Sequence, residues 1–220
     1  MRNSIKGIIF DLDGVIVFTD ELHFQAWNEL AKDLGIYFDR EINNLLRGVS
    51  RMESLEIVLR QYHGRPLSDL EKNALAEKKN DIYKGLLEGM TPADVSDDVR
   101  RSLHELARRG FKLAVGSSSK NTKRILEKVE LTEMFDAISD GTNIRRSKPD
   151  PEVFIKAAQF LGLEPQQCLV VEDADAGVEA AIAAGMHSAA LNPAAKTGKA
   201  DYLLEEFTDL LKIAALDITE

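Results

Sequence analysis

The sequence contains a single cysteine, Cys168, among its 220 residues. A disulfide within this chain is therefore excluded, and such sparing use of cysteine is compatible with a reducing compartment. Long apolar runs are also absent: none approaches the roughly 20 residues that a membrane-spanning helix needs. Asp11 and Asp13 interrupt the first apolar stretch before it could act as a signal sequence. We expect a cytoplasmic protein that has no membrane partner.

Positive charge is also in short supply. Lys and Arg total 28 against 37 Asp and Glu, which gives a formal net charge of −9. An acidic protein is repelled by nucleic-acid phosphates and anionic membranes, so we expect neither as a partner. The chain is nonetheless 44% hydrophobic, which suits a globular protein with a sizeable core. Its length fits one large domain or a domain with an insertion.

Short apolar runs alternate with amphipathic stretches along most of the chain. The runs predict strands that are buried on both faces, and the amphipathic stretches predict helices. The predicted strands are 7–10, 112–116, 136–139, 168–171 and 187–191, and the predicted helices between the later ones are 97–109, 121–130, 150–162 and 174–185. This alternation is typical of an α/β protein with a Rossmann-like parallel sheet flanked by helices.

Residues 20–90 break the alternation. They contain helical patterns, such as the apolar stripe through Leu22, Ala26 and Leu30, and no strand pattern. We therefore predict an inserted all-α helical cap domain. The predicted division is an α/β catalytic core of 1–16 and 91–220 with a helical cap domain of 17–90. Ligands of open α/β sheets bind at the carboxyl ends of the strands, and the insertion leaves and re-enters there, so the cap is expected to cover the site.

Polar side chains that could take part in binding or catalysis lie at the carboxyl ends of the predicted strands or in the loops that follow. They are Asp11-Leu12-Asp13, Ser117-Ser118-Ser119, Lys148 and Glu172-Asp173. Carboxylates at the end of a buried strand are costly unless solvent, a helix N-terminus or a metal ion compensates them.

Each of these stretches also has an ordinary structural interpretation. Asp173 could be the N-cap of the following helix, Lys148 a surface lysine, and the serines loop and capping residues. The run Asp11 to Gly14 resembles the start of a calcium loop, but Val15-Ile16-Val17 stand where further oxygen ligands would be needed.

Taken together, the stretches favour metal-assisted phosphoryl transfer. Clustered carboxylates supply the hard oxygen ligands that Mg²⁺ prefers, and the ion offsets their mutual repulsion. Serine hydroxyls and a lysine can stabilise charge on a transferring phosphoryl group. One carboxylate can act as the nucleophile.

Four segments resemble, in order, the four motifs of the haloacid dehalogenase superfamily: FDLDGV, VGSSSKN, SKPDPEVF and VEDADAG. The insertion resembles the cap of its phosphoglucomutase-like members, and HFQAW, RGVSRMESL, KKNDIY and SSSKN narrow the resemblance to those members. It implies a monomeric, Mg²⁺-dependent isomerase that interconverts β-D-glucose 1-phosphate and D-glucose 6-phosphate. The implied intermediates are an aspartyl phosphate and glucose 1,6-bisphosphate, the latter also serving as the priming cofactor. A sugar-phosphate phosphatase on the same scaffold is the alternative. A dehalogenase or a catalytically silent binding protein is disfavoured.

The resemblance also implies residue roles. Asp11 would be the nucleophile, Asp13 the general acid/base, Thr19 a hinge residue and His23 a residue that supports acid/base chemistry or cap closure. The metal ligands would be Asp11, Asp13 through its backbone carbonyl, Glu172 and Asp173. The reacting phosphoryl group would be bound by Ser117 and Lys148, and the second phosphate by Arg51, Ser119, Lys120 and Asn121. The sugar would be met by His23, Trp27, Leu46, Gly48, Val49, Ser54, Lys79 and Ser118.

Three positions keep further interpretations open. Arg51 could instead form a surface ion pair with Glu53 or Glu56, and His23 could be a packed core histidine. Phe18 departs from the family pattern, which usually has an acid there. A bulky apolar residue in the hinge is expected either to alter cap closure or to repack the cap edge.

Overall fold

A computed structural model of the protein describes residues 4–46, 49–191 and 198–216. Within these ranges, six parallel strands form one sheet with the order β3-β2-β1-β4-β5-β6. The strands are β1 Gly7–Phe10, β2 Lys112–Gly116, β3 Ala137–Ser139, β4 Cys168–Glu172, β5 His187–Leu191 and β6 Tyr202–Leu204. The first strand of the chain therefore lies inside the sheet, between two strands that come more than 100 residues later.

Helices follow the strands and also fill the interval between β1 and β2. Among the described residues, that interval holds α1 Asp20–Asp33, α2 Arg40–Asn44, α3 Arg51–Leu59 and α4 Asp69–Leu87. The described α-helices of the rest of the chain are α5 Asp97–Arg108, α6 Thr122–Lys128, α7 Glu152–Leu161, α8 Asp175–Ala183 and α9 Leu210–Leu216. No described helix is both long and apolar enough to cross a membrane.

The sheet is covered on both faces, which explains why its strands are largely apolar. On β1, Ile8 and Phe10 belong to the core that also holds buried side chains of α5, α6 and α9. Ile9, whose side chain points the other way, packs in a second core with side chains of α7 and α8. Alternate residues of one strand thus enter two cores, as in other doubly covered parallel sheets.

Helices α1, α3 and α4 share an apolar core of their own, which includes Trp27, Leu30, Leu55, Val58 and Ala76. Local sequence sets where two of these helices begin. Ser50 and Ser68 each form a capping box with the glutamate three residues later, so α3 and α4 begin directly after them.

The predicted fold class, a Rossmann-like parallel-sheet core with an inserted helical cap, is confirmed. The residue boundaries of that division, 1–16 with 91–220 and 17–90, stay a prediction. Strand β3 starts one residue later than predicted, and β4 is one residue longer because the backbone of Glu172 still pairs with Ala190. Strand β6 and helix α9 were not predicted. A three-residue strand at the sheet edge is too short to show a period.

Candidate active site

The strand order places the carboxyl ends of β1 and β4 side by side. Asp11 follows β1 directly, and its backbone N–H donates to the carbonyl of Val171 over 2.9 Å. Glu172 is the last residue of β4, and Asp173 follows it. Asp11, Glu172 and Asp173 each offer one carboxylate oxygen within 4.8 Å of the others. Residues that are distant in sequence therefore form one acidic cluster.

Two glycines allow this cluster to be compact. Gly14 has a φ of 94°, a conformation that favours glycine, and a Cβ there would overlap the carboxylate of Asp173. A Cβ on Gly177 would likewise overlap the carboxylate of Glu172. The glycines of FDLDGV and VEDADAG thus give two acids the space they occupy.

Lys148 lies within the cluster and is only 3% exposed, so the interpretation of it as a surface lysine is wrong. Its Nζ donates to Asp11 Oδ1 over 2.5 Å and also to Glu172 Oε1. Burial opposes the charged amine, but the carboxylates of Asp11 and Glu172 outweigh it and raise the pKa of Lys148. Burial raises the pKa of Glu172, although the Lys148 charge opposes that shift.

The donor set of this cluster fits a magnesium ion. One lysine supplies one positive charge against three carboxylates, so negative charge remains to be compensated in a partly buried place. Carboxylate oxygens are hard ligands of the kind Mg²⁺ prefers. The alternative interpretation of Asp173 as the N-cap of the following helix is wrong. Ala174 holds the N-cap position, and α8 begins at Asp175.

Asp13 lies close to Asp11 but in a different environment. Its carboxylate accepts a hydrogen bond from the hydroxyl of Thr19, which is fully buried. Burial, and secondly the charge of Asp11, raises the pKa of Asp13 from 3.8 to about 6. A carboxyl group that exchanges its proton near neutral pH is suited to general acid/base catalysis.

The loop after β2 carries the serines. Ser117 Oγ accepts from the backbone N–H of Ser119, and Ser119 Oγ accepts from that of Asn121, both over 3.1 Å. Ser117 and Ser119 therefore stabilise the loop through their side chains, in agreement with their interpretation as loop and capping residues. Ser118 differs, because its buried Oγ has no hydrogen-bond partner among the described residues. Buried hydroxyls rarely stay unpaired, so this atom is available to a ligand.

Lys79, which is buried, and His23, which is half-buried, form a polar pair on the cap side. Lys79 Nζ lies 2.9 Å from His23 Nδ1 and 4.8 Å from the centroid of the Trp27 ring. Burial, and secondly the charge of Arg51, lowers the pKa of Lys79 to about 7. Burial, then the charges of Lys79 and Arg51, lowers the pKa of His23 well below its usual value. The His23 ring also stacks on that of Tyr83, so His23 both packs against an aromatic ring and has a polar partner.

Arg51 is ion-paired, but not with either predicted carboxylate. Its Nη1 lies 2.6 Å from Glu77 Oε1 on α4. Glu53 is used in the capping box with Ser50, and Glu56 accepts from Lys72. Arg51 therefore does form an ion pair, as one interpretation predicted. Its partner is a carboxylate of the neighbouring helix α4, which sequence spacing could not identify.

One cavity of about 670 Å³ joins the acidic cluster to the cap residues. It is lined by every predicted site residue that the structure describes; Gly48 lies outside the described residues. These lining residues are Asp11, Asp13, Thr19, His23, Trp27, Leu46, Val49, Arg51, Ser54, Lys79, Ser117, Ser118, Ser119, Lys120, Asn121, Lys148, Glu172 and Asp173.

The cavity also has lining residues that the sequence did not single out for the site, among them Glu77, Asn80, Tyr83 and Arg145. Asn80 and Tyr83 lie within about one helical turn of Lys79, so helical spacing could have found them once Lys79 was placed. Phe18, the departure from the family pattern, lines the cavity too and is 67% exposed.

Comparison with known proteins agrees with this geometry. Residues 5–185 match the family described as haloacid dehalogenase-like hydrolase. The β-phosphoglucomutase of Bacillus subtilis is 38% identical over 208 residues, covering 94% of this chain and 92% of its own. The fructose-1-phosphate phosphatase of Escherichia coli is 34% identical over 187 residues, covering 84% and 96%.

A solved structure shows the same likeness in three dimensions. The crystal structure of β-phosphoglucomutase from Clostridium difficile superposes with a TM-score of 0.89 at 32% identity, covering 98% of this chain and 100% of that one. The fold is thus shared with that structure over nearly the whole length of both chains. On this match of sequence, fold and site, the chain belongs to the haloacid dehalogenase-like hydrolase family.

Proposed function

We propose that this chain acts on sugar phosphates as a Mg²⁺-dependent β-phosphoglucomutase, which interconverts β-D-glucose 1-phosphate and D-glucose 6-phosphate. The observation that carries the proposal is the shared cavity. At one end it holds the carboxylate and lysine centre of Asp11 and Lys148, and on its cap side it holds Arg51. A mutase needs cationic groups at both places because its intermediate carries two phosphates.

Asp11 is the proposed nucleophile. Its carboxylate oxygen attacks the phosphorus of the bound bisphosphate, a new O–P bond forms, and the bond from phosphorus to the sugar oxygen breaks. The phosphoryl group is then on Asp11, with Lys148 and Ser117 next to it. The sugar leaves as a glucose monophosphate. In the reverse step, the free hydroxyl of a bound glucose monophosphate attacks the phosphorus of the aspartyl phosphate, the bond from phosphorus to Asp11 breaks, and the bisphosphate forms again. Because the bisphosphate can bind with either of its phosphates at Asp11, the two steps together interconvert the two glucose phosphates.

Asp13 handles the proton in both steps. It donates a proton to the leaving sugar oxygen in the first step and accepts one from the attacking hydroxyl in the second. Its raised pKa of about 6 suits both roles. Thr19 holds the Asp13 carboxylate in place through its hydroxyl.

Asp11, Glu172, Asp173 and the backbone carbonyl of Asp13 would hold the Mg²⁺. When bound, the ion offsets the negative charge of the carboxylates and of the phosphoryl oxygens, so that an anionic nucleophile can approach an anionic phosphate.

The cap side would hold the rest of the substrate. Arg51 would bind the phosphate that is not reacting, because its planar guanidinium can make two parallel hydrogen bonds to phosphate oxygens. Ser119, Lys120 and Asn121 would complete that site from the core. The residues that would contact the sugar are His23, Trp27, Leu46, Val49, Ser54, Lys79 and Ser118. We also propose 17–90 as the cap domain that closes over the bound sugar.

A sugar-phosphate phosphatase is the second candidate, and a specific observation favours it: a fructose-1-phosphate phosphatase is 34% identical to this chain. In a phosphatase, water attacks the aspartyl phosphate in place of a sugar hydroxyl. A cap that excludes water from the cavity would favour transfer to the sugar.

Product analysis separates the two. The protein is incubated with β-D-glucose 1-phosphate, Mg²⁺ and a trace of glucose 1,6-bisphosphate, and both glucose 6-phosphate and inorganic phosphate are measured. A mutase gives mainly glucose 6-phosphate, and the rate depends on the bisphosphate. If inorganic phosphate is the main product with or without the bisphosphate, the phosphatase replaces the mutase.

A further inference from the structure

The cap arginine does not face the cavity as a free cation. Arg51, at the first position of α3, makes its 2.6 Å ion pair with Glu77 of α4. Both residues line the cavity. The Arg51 side chain is 21% exposed, whereas that of Glu77 is 64% exposed. The carboxylate therefore has solvent to move into, while the guanidinium is held closer to the cap core.

The two glutamates that follow Arg51 on α3 are engaged elsewhere. Glu53 accepts from the backbone N–H of Ser50, and Glu56 accepts from Lys72. The charge of Arg51 also reaches further into the cap, since it contributes to lowering the pKa of both Lys79 and His23. Glu77 is thus the carboxylate that pairs with a cation whose charge also acts on Lys79 and His23.

A phosphate and a carboxylate need the same donors. Both accept paired hydrogen bonds from a guanidinium, so Glu77 and a phosphate compete for Arg51. We propose that Glu77 is an internal counter-ion that holds Arg51 until the non-reacting phosphate displaces it. The carboxylate acts through Arg51 and sets how tightly the cap retains a ligand with a second phosphate. The inference rests on the proposed function, because it takes Arg51 as the group that binds this phosphate.

Glu77→Gln tests the counter-ion directly. The amide keeps the shape of the side chain, removes its charge and frees Arg51 for phosphate. Binding is measured by titration calorimetry with β-D-glucose 1,6-bisphosphate and Mg²⁺, in protein carrying Asp11→Asn so that no transfer consumes the ligand. Because an exposed ion pair is modest in strength, the dissociation constant is expected to fall by up to about fivefold. Glu56→Gln is the matched control, since Glu56 pairs with Lys72 and does not line this cavity.

The same change is then made together with Arg51→Ala. If Glu77 acts through Arg51, its replacement no longer tightens binding in that background, and the two effects are not additive. A merely structural role of Glu77, or a general change in the field of the cavity, would affect both backgrounds equally.

The outcomes separate this inference from the function on which it rests. Tighter binding by Glu77→Gln only where Arg51 is present supports the counter-ion. An unchanged dissociation constant, or equal tightening in both backgrounds, overturns it and leaves the proposed function standing. If Arg51→Ala alone leaves bisphosphate binding unchanged, the proposed second phosphate site is wrong, and the counter-ion is overturned with it.

Discussion

The side-chain amide of Asn121, in the loop after β2, donates a 3.0 Å hydrogen bond to Oδ1 of Asn80 on α4. This bond joins the loop that carries the serines to a helix of the cap, and Asn80 is only 4% exposed. A second connection is made at the end of the same helix, where Glu88 pairs with Arg124 and Lys128 of α6. The cap is thus attached to the core next to the cavity as well as at its edge.

Asn80→Ala should loosen the contact beside the cavity. The variant loses this hydrogen bond and leaves the half-buried amide of Asn121 without it, so the free energy of unfolding in urea should fall by about 1 kcal/mol. Asn44→Ala, at an exposed position on α2, is the control and should stay within about 0.5 kcal/mol of wild type. Equal stability of wild type and Asn80→Ala would show that the bond contributes nothing.

Asp11→Asn should abolish the phosphoenzyme, because an amide cannot replace the attacking carboxylate. The variant and the wild type are incubated with glucose 1,6-bisphosphate and Mg²⁺, and the mass of the intact protein is measured. Wild type should gain one phosphoryl group and the variant none. A phosphorylated Asp11→Asn protein would place the nucleophile elsewhere.

Asp13→Asn should keep the phosphate and metal contacts and lose proton transfer. Turnover should fall by about 10²- to 10⁴-fold, while bisphosphate binding remains. Near-normal turnover would remove Asp13 from the general acid/base role.

Asp13→Asn should also change how the stability of the metal-free protein depends on pH. The folded pKa of Asp13 is raised from 3.8 to about 6, so between these values the folded state binds more protons than the unfolded state. Stability therefore falls as pH rises through this window. The stability of Asp13→Asn relative to wild type should increase from about pH 4 to pH 6 and then level off. Urea unfolding in EDTA at several pH values measures it, and a flat difference would contradict the raised pKa.

Removal of Mg²⁺ should stop turnover and leave the helices and strands in place, because the described core does not depend on the acidic cluster. EDTA-treated protein is assayed for activity and examined by circular dichroism, and Mg²⁺ is then restored. Asp173→Asn should require a much higher Mg²⁺ concentration. Full activity after verified removal of the metal would show that the reaction does not need it.

Arg51→Ala should lower the ratio of glucose 6-phosphate to inorganic phosphate formed from β-D-glucose 1-phosphate. The variant loses the group that retains the second phosphate, whereas attack by water on the aspartyl phosphate needs no such group. Arg60→Ala is the matched control, because Arg60 lies on the C-terminal side of α3 and does not line the cavity. An unchanged ratio in Arg51→Ala would favour the phosphatase.

Most of the sheet could be predicted because its strands are largely apolar on both faces, and acids or serines stand at or directly after the ends of β1, β2, β3 and β4. The placement of Asp11 near Glu172 could be predicted because the carboxyl ends of parallel strands lie at the same edge of the sheet. The partner of Arg51 could not be predicted in this way. Glu77 lies on another helix, and only the packing of α3 against α4 brings its carboxylate to the guanidinium. The extension of β4 to Glu172 was missed because a charged residue ordinarily ends a buried strand.

The central position of β1 fixes the order in which this chain can assemble as it is synthesised. β1 emerges first but has no neighbour to pair with until β2 and then β4 have been made. The apolar core of the cap, from Trp27 to Ala76, is complete in the nascent chain before either of them. The cap helices can therefore pack together while the ends of β1 and β4 are still apart. The acidic cluster, which needs Glu172 and Asp173 beside Asp11, can form only after most of the protein has been translated.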